Sequence, residues 1–194
     1  IDLLQRALDA LVTALDLGAA GLMGHSLGGG IALAQAARRP DSVRAVVGVG
    51  AVTTLPDAGR EGMRTRAETV EESGMAAVAE TVATHGVSPA FREGRPEAFQ
   101  ELISMLGSAN PSGYAAQCRA LEGMDLTGEL GSIRAPALLV AGELDQASPV
   151  ARNEANAALI GAELVVLPDC AHIISWEKPA ELLAAARPVL RQGA

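Results

Sequence analysis

Aromatic side chains are nearly missing from this sequence: one Trp, one Tyr and two Phe make up 2% of its 194 residues. Stacking platforms for single-stranded nucleic acid or sugar rings are therefore not expected. Positive charge is also short. Fifteen Lys plus Arg stand against 23 Asp plus Glu, a formal net charge of −8. No basic face is expected to hold nucleic acid or an anionic membrane surface. Cysteine is confined to Cys118 and Cys170, too few and too far apart for a disulfide framework. Cys170 and His172 form the closest metal-ligand pair, and no second pair completes it, so neither a metal nor another cofactor is expected. Hydrophobic runs stop short of the about 18 residues that a membrane-spanning helix needs. These absences together suggest a reduced, soluble, cytoplasmic chain acting on a small molecule, as a monomer or homodimer.

What is present suits a packed domain: 49% of residues are hydrophobic and 20% charged. Ile1 to Leu17 places Ile1, Leu4, Leu8, Leu11, Val12 and Leu15 on one helical face. The first residue is Ile, and the segment has neither the basic start nor the continuous apolar run of a signal peptide. The expectation is an amphipathic helix met near its start, in a chain that lacks its natural N-terminus.

The run from Ala19 to Gly24 predicts a strand leading straight into GHSLGGG, Gly24 to Gly30, and then a helix over about 28–39 that Pro40 ends. Val43 to Val52 is apolar on both faces, as a buried parallel strand requires. From Thr53 to Leu130 the texture becomes helical, with pieces expected near 61–72, 74–84, 96–107 and 111–122. Strands at 137–141 and 163–167 follow, separated by a helix that Ser148 and Pro149 open and Gly161 closes. Pro179 opens a last helix with Leu182, Leu183, Ala186, Val189 and Leu190 facing inward. The expected organisation is a core over 1–52, a helical lid over 53–130 and a second core segment over 131–194. Alternating strands and helices predict an α/β fold with a parallel sheet covered on both faces. With only four strands, the first would leave an unpaired edge, and further N-terminal strands are expected to be absent from this chain.

Ser26 stands at the centre of G-x-S-x-G, a pattern that a chain this rich in glycine gives by chance roughly one time in ten. Its place between a strand and a helix is more specific. There a sharp turn exposes the hydroxyl, and the helix N-terminus favours negative charge. A serine nucleophile needs a base and an orienting acid. Of three histidines, His25 adjoins the serine, and its side chain is expected to leave the turn in another direction. His85 falls in the helical insertion. His172 follows the last strand, where a base can reach over the sheet's C-terminal edge. For the acid, Asp145 lies just past the third strand, Asp169 lies three residues before His172, and Asp125 lies in the insertion. Position favours Asp145. Trp176 is expected to pack under the last helix. Met63, Met75, Met105 and Met124 are expected in helix packing, and Arg92 and Arg119 are set against solvation as partners for a substrate carboxylate.

The order Ser, Asp, His, together with GHSLGGG, VAGELD at 140–145 and DCAHIISWEKPAEL at 169–182, resembles the α/β-hydrolases over essentially the whole chain. Within them, SPAFREGRPEAF at 88–99 and GYAAQCRALEGMDL at 113–126 are similar to the 3-oxoadipate enol-lactonases, although Thr84 to Val87 stand where those proteins usually carry large aromatics. The resemblance implies catalysis by Ser26, Asp145 and His172 on a small carboxylic ester or lactone through an acyl-enzyme. It implies an oxyanion hole formed by the Leu27 N–H and by a second donor that this sequence does not contain, with correspondingly weak activity. An acyltransferase, perhydrolase or C–C bond hydrolase using the same three residues, or a non-catalytic ligand-binding protein, are the other readings.

Overall fold

The computed structural model describes residues 1–192; Gly193 and Ala194, the end of the 131–194 segment, lie outside the described residues. Four parallel strands, β1 (Ala20–His25), β2 (Val43–Val49), β3 (Ala137–Gly142) and β4 (Glu163–Leu167), lie side by side in chain order. Parallel neighbours require crossovers. Helix α2 (Leu27–Arg38) makes the first, α8 (Val150–Ile160) the last, and five helices fill the long one between β2 and β3. Those five are α3 (Asp57–Ser73), α4 (Ala79–Gly86), α5 (Pro89–Gly94), α6 (Pro96–Gly107) and α7 (Pro111–Glu122).

The central strands β2 and β3 are buried on both faces, which explains the continuous apolar text of β2. Val46 and Leu139 pack on one face with Leu33 of α2, Ala157 of α8, and Met124 and Leu126. Val47, Val49, Leu138 and Val140 pack on the other with Ile174, Leu182 and Ala186. Ile174 belongs to α9 (Ile174–Glu177), a single turn, and the last two to α10 (Pro179–Arg191). The five-helix excursion has its own clusters: Ala67 of α3 against Ala115 and Cys118 of α7, and Ala83, Val87, Phe91 and Leu102 across α4 to α6. It leaves and rejoins the sheet at one point, where Thr54 and Asp125 form an antiparallel bridge and the Leu126 N–H donates to the Thr53 carbonyl at 2.9 Å.

The structure corrects several expectations. Short α5 and α9 are not legible as separate pieces, each being a turn or so long and ending two residues before a proline that opens the next helix. The helix expected at 74–84 is a 3₁₀ turn, Met75–Ala77, followed by α4, because the chain leaves helical geometry at Val78 (φ −125°, ψ −16°). Ser148 does not cap α8. Its hydroxyl donates instead to the Ala51 carbonyl at 2.8 Å, and Pro149 takes the capping position. Leu183 faces solvent on α10 at 52% exposure. In α1 (Asp2–Ala14) the expected apolar face is only half covered: Ile1 packs on the core, but Leu11 and the following Leu15 are exposed. Strand β1 pairs only with β2 among the described residues, as the four-strand reading anticipated. No described helix is long and apolar enough to cross a membrane.

Candidate active site

β1 ends at His25 and α2 begins at Leu27, so the whole turn is one residue, Ser26. Its φ of +55° and ψ of −119° are unfavourable for a residue with a Cβ, a strain on the order of 1–3 kcal/mol that the surroundings must hold. They do so through the backbone. The Ser26 N–H donates to the Val49 carbonyl at 2.9 Å, and its own carbonyl accepts from the Gly30 and Val52 N–H groups, both at 3.1 Å. Of the two glycines flanking the serine motif, only Gly24 is sterically required. A Cβ there would sit 2.1 Å from the Gly28 carbonyl oxygen, whereas one on Gly28 would meet nothing within 4 Å. Although Ser26 occupies the N-cap position of α2, its hydroxyl makes no capping bond, which leaves it free for another partner.

That partner is His172. Its Nε2 lies 2.9 Å from Ser26 Oγ, and its Nδ1 lies 2.8 Å from Asp145 Oδ2. A carboxylate only accepts, so Nδ1 carries the proton and Nε2 is left to receive the serine's hydrogen. Three residues from three different loops thus form one hydrogen-bonded chain at the C-terminal edge of the sheet. Asp145 is 4% exposed, and the Ala147 and Ser148 N–H groups donate to its other oxygen at 2.8 and 2.9 Å. Ser148 is itself anchored to the end of β2 through Ala51 and accepts from Asn153 Nδ2 at 3.0 Å. The acid and histidine loops are joined directly by the Leu144 N–H donating to the Cys170 carbonyl at 2.8 Å. Gly142 makes this approach fit, since a Cβ on it would fall 2.1 Å from the Ala171 carbonyl oxygen.

The other candidates lie elsewhere. Asp169 is exposed, and among the contacts of its loop its N–H donates to Glu143. Asp125 accepts from the N–H and hydroxyl of Thr127. His85 is exposed on α4, with Nδ1 2.8 Å from the Thr81 carbonyl. His25 does leave the turn in another direction: its Nε2–H donates to the His172 carbonyl at 2.7 Å, and the two rings stand 4.7 Å apart. Burial, and the neighbouring His172, lower its pKa to about 4, so it stays neutral beside the site. Arg119 pairs with Glu71, and Arg92 donates to the Thr84 carbonyl. Met75 and Met124 are buried in packing clusters, Met63 packs between α3 and α7, and Met105 is exposed. Trp176 differs from expectation. It packs not under α10 but against the α4–α6 cluster. Both thiols are free and buried, and burial together with Glu177 pushes Cys170 up to about 12.

Leu27, the first residue of α2, has an N–H with no acceptor inside its helix, at the positive end of the helix dipole. An imidazole held between a hydroxyl and a buried carboxylate, beside such a donor, can pass a proton while negative charge develops next to the turn. Ser148, Asn153 and Glu177 make hydrogen bonds within the acid and histidine loops that sequence reasoning passed over. Ser148 was hidden by the stronger Ser-Pro capping signal, and nothing local marks the other two.

Relatives were found at both the sequence and structure levels. The chain is 28% identical over 192 residues to 3-oxoadipate enol-lactonase 2 of Acinetobacter baylyi, spanning 99% of this chain and 71% of that protein. The crystal structure of the enol-lactonase from Burkholderia xenovorans LB400 superposes with a TM-score of 0.92 at 26% identity, over 97% of this chain and 72% of that one. A thermophilic esterase from Thermogutta terrifontis, solved with malate bound, gives a TM-score of 0.87 at 29% identity, over 95% and 69%. Residues 1–179 match the family model for the alpha/beta hydrolase fold, and the chain belongs to that family.

Proposed function

We propose that this protein hydrolyses a small carboxylic ester or lactone through an acyl-enzyme on Ser26. The observation that carries the reading is the continuous hydrogen-bonded chain from Ser26 Oγ through His172 to Asp145. Ser26 Oγ attacks the carbonyl carbon as His172 Nε2 takes its proton, and Asp145 holds the imidazole in the required tautomer and stabilises its charge. The oxyanion forms at the Leu27 N–H, where one such donor is worth about 2.7–4 kcal/mol of transition-state stabilisation. Collapse expels the alkoxide, which takes the proton back from Nε2. Water then repeats the sequence on the acyl-enzyme and frees Ser26. With a lactone the expelled hydroxyl stays tethered to the acyl group until that second step.

The carbonyl substrate class is supported by the names of the relatives, two of them enol-lactonases and one an esterase. The helices α3 to α7 leave the sheet between Thr54 and Asp125, next to the site, and in this reading they act as a lid. Turnover of p-nitrophenyl acetate and of a panel of lactones, by the wild type and by Ser26→Ala, tests the proposal. The wild type is expected to release carboxylate from at least one substrate and the variant from none. Equal turnover by the two would remove Ser26 from the chemistry.

A further inference from the structure

Glu177 is a carboxylic acid that the chemistry above does not use, and it is 7% exposed. A buried carboxylate is unfavourable unless donors surround it. Here the Cys170 thiol lies 3.7 Å from Oε1, and the close donors are main-chain groups from two different parts of the fold. Oε1 accepts from the Ala171 N–H at 2.7 Å, and Oε2 accepts from the Ser88 N–H at 2.9 Å. Ala171 immediately precedes His172, while Ser88 is the N-cap of α5 inside the helical excursion. On the other side of His172, the Ile173 N–H donates to the Gly86 carbonyl at 2.7 Å. Ile173 and Trp176 complete the junction by packing into the cluster of Ala83, Val87, Phe91 and Leu102. The fit at Gly86 is close: a Cβ there would stand 2.5 Å from Ile173 Cδ1.

The main chain before and after His172 is therefore fastened to the same short stretch, Gly86 to Ser88. We propose that Glu177 is a positioning residue that couples the α4–α5 junction to His172, so that displacement of the helical excursion carries the imidazole away from Ser26. The proposal rests on His172 being the base. One carboxylate serves both N–H groups because each needs an oxygen. A glutamine would turn its NH₂ toward one of them and leave that donor unsatisfied.

The test uses the full chain with Glu177→Gln, Ser88→Ala and Ser88→Pro. Ser88 has φ −65° and ψ 154°, a conformation proline adopts, so proline replaces its N–H by a ring carbon that displaces the Glu177 carboxylate without forcing the Ser88 backbone. Both Ser88 variants lose the hydroxyl that accepts from the Phe91 N–H, so the difference between them reads the bond to Glu177. Glu177→Gln and Ser88→Pro are expected to lower kcat on p-nitrophenyl acetate by roughly 10- to 100-fold with KM nearly unchanged, the scale of a displaced reacting group. Ser88→Ala is expected to stay near the wild type. Amide hydrogen exchange should quicken at Ala171 and Ile173 while Val47 and Leu139 in the sheet keep their protection. Wild-type kcat in Glu177→Gln, or quickened exchange spread equally through β2 and β3, would overturn the coupling. If Glu177→Gln fails to fold, the proline–alanine comparison decides. A wild type without esterase turnover would count against the base assignment alone, since the exchange pattern reads the coupling independently.

Discussion

Helices α1 and α2 precede and follow β1 in the chain, and both carry regularly spaced apolar residues, yet they bury them differently. In α2, Leu33 and Ala34 are fully buried against β2 and the returning chain at Leu126 and Leu130. In α1, Leu3 and Leu11 are 70% and 55% exposed, and the buried residue is a polar one, Gln5, which receives a hydrogen bond from Arg38. Periodicity records which residues share a face. Whether another element covers that face depends on what lies beneath it, and α2 lies over two paired strands whereas α1 packs on α2. The same contrast separates the two ends of the molecule: at the C-terminal edge of the sheet, Ser26, Asp145 and Ser148 are all hydrogen-bonded, and the α1 flank holds its polar residues by ion pairs such as Arg38 with Asp2 and Glu129. Exposed pairs of that kind contribute about 0–1 kcal/mol each.

The strongest way to break this contrast is at the buried end. Asp145→Asn should lower kcat by about ten-thousandfold, the effect of the wrong imidazole tautomer in serine proteases. Asp169→Asn, on the exposed side of the same loop system, should leave turnover near the wild type. Steady-state kinetics on both variants checks the pair, and the reverse ranking would move the acid to Asp169.

A second comparison is made by denaturant unfolding. Leu33→Ala should destabilise by about 2–5 kcal/mol, as cavity formation in a packed core does. Leu11→Ala in α1 should stay within about 0.5 kcal/mol, the usual range for exposed positions. Equal losses would mean that α1 is as well covered as α2.

A further effect, confined to acid pH, concerns His25. Its folded pKa of about 4 lies below the ordinary 6.5, so between those values the unfolded chain binds more protons and stability falls as pH falls. The difference corresponds to about 3 kcal/mol at the acid end of that window and nothing above it. Unfolding of wild type and His25→Gln at pH 7 and pH 4 should show the wild type losing more stability by about that amount. Parallel losses would mean that His25 titrates normally.

Much of this arrangement is legible in the sequence, for reasons that differ from residue to residue. The parallel sheet is readable because β2 and β3 are apolar on both faces. Ser26, Asp145 and His172 stand out because each directly follows a strand or its loop, and their order matches a known family. The helices α6 and α7 begin at the prolines that mark them. What sequence could not supply was partnership across the fold. Nothing near Glu177 signals that its oxygens would meet Ser88, 89 residues away, and the aromatic ring of Trp176 gives no sign of which of two faces it will join. The break at Val78, between the 3₁₀ turn and α4, has no glycine or proline to mark it, so the helical periodicity runs through it.

The central claim is that Ser26 is a nucleophile activated by His172 and oriented by Asp145, and one experiment addresses it most directly. The chain is treated with a fluorophosphonate, its intact mass is measured, and the modified peptide is sequenced. The account predicts one adduct per chain, on Ser26, forming rapidly in the wild type and far more slowly in His172→Ala. A label on another serine, or equal labelling with and without His172, would contradict it.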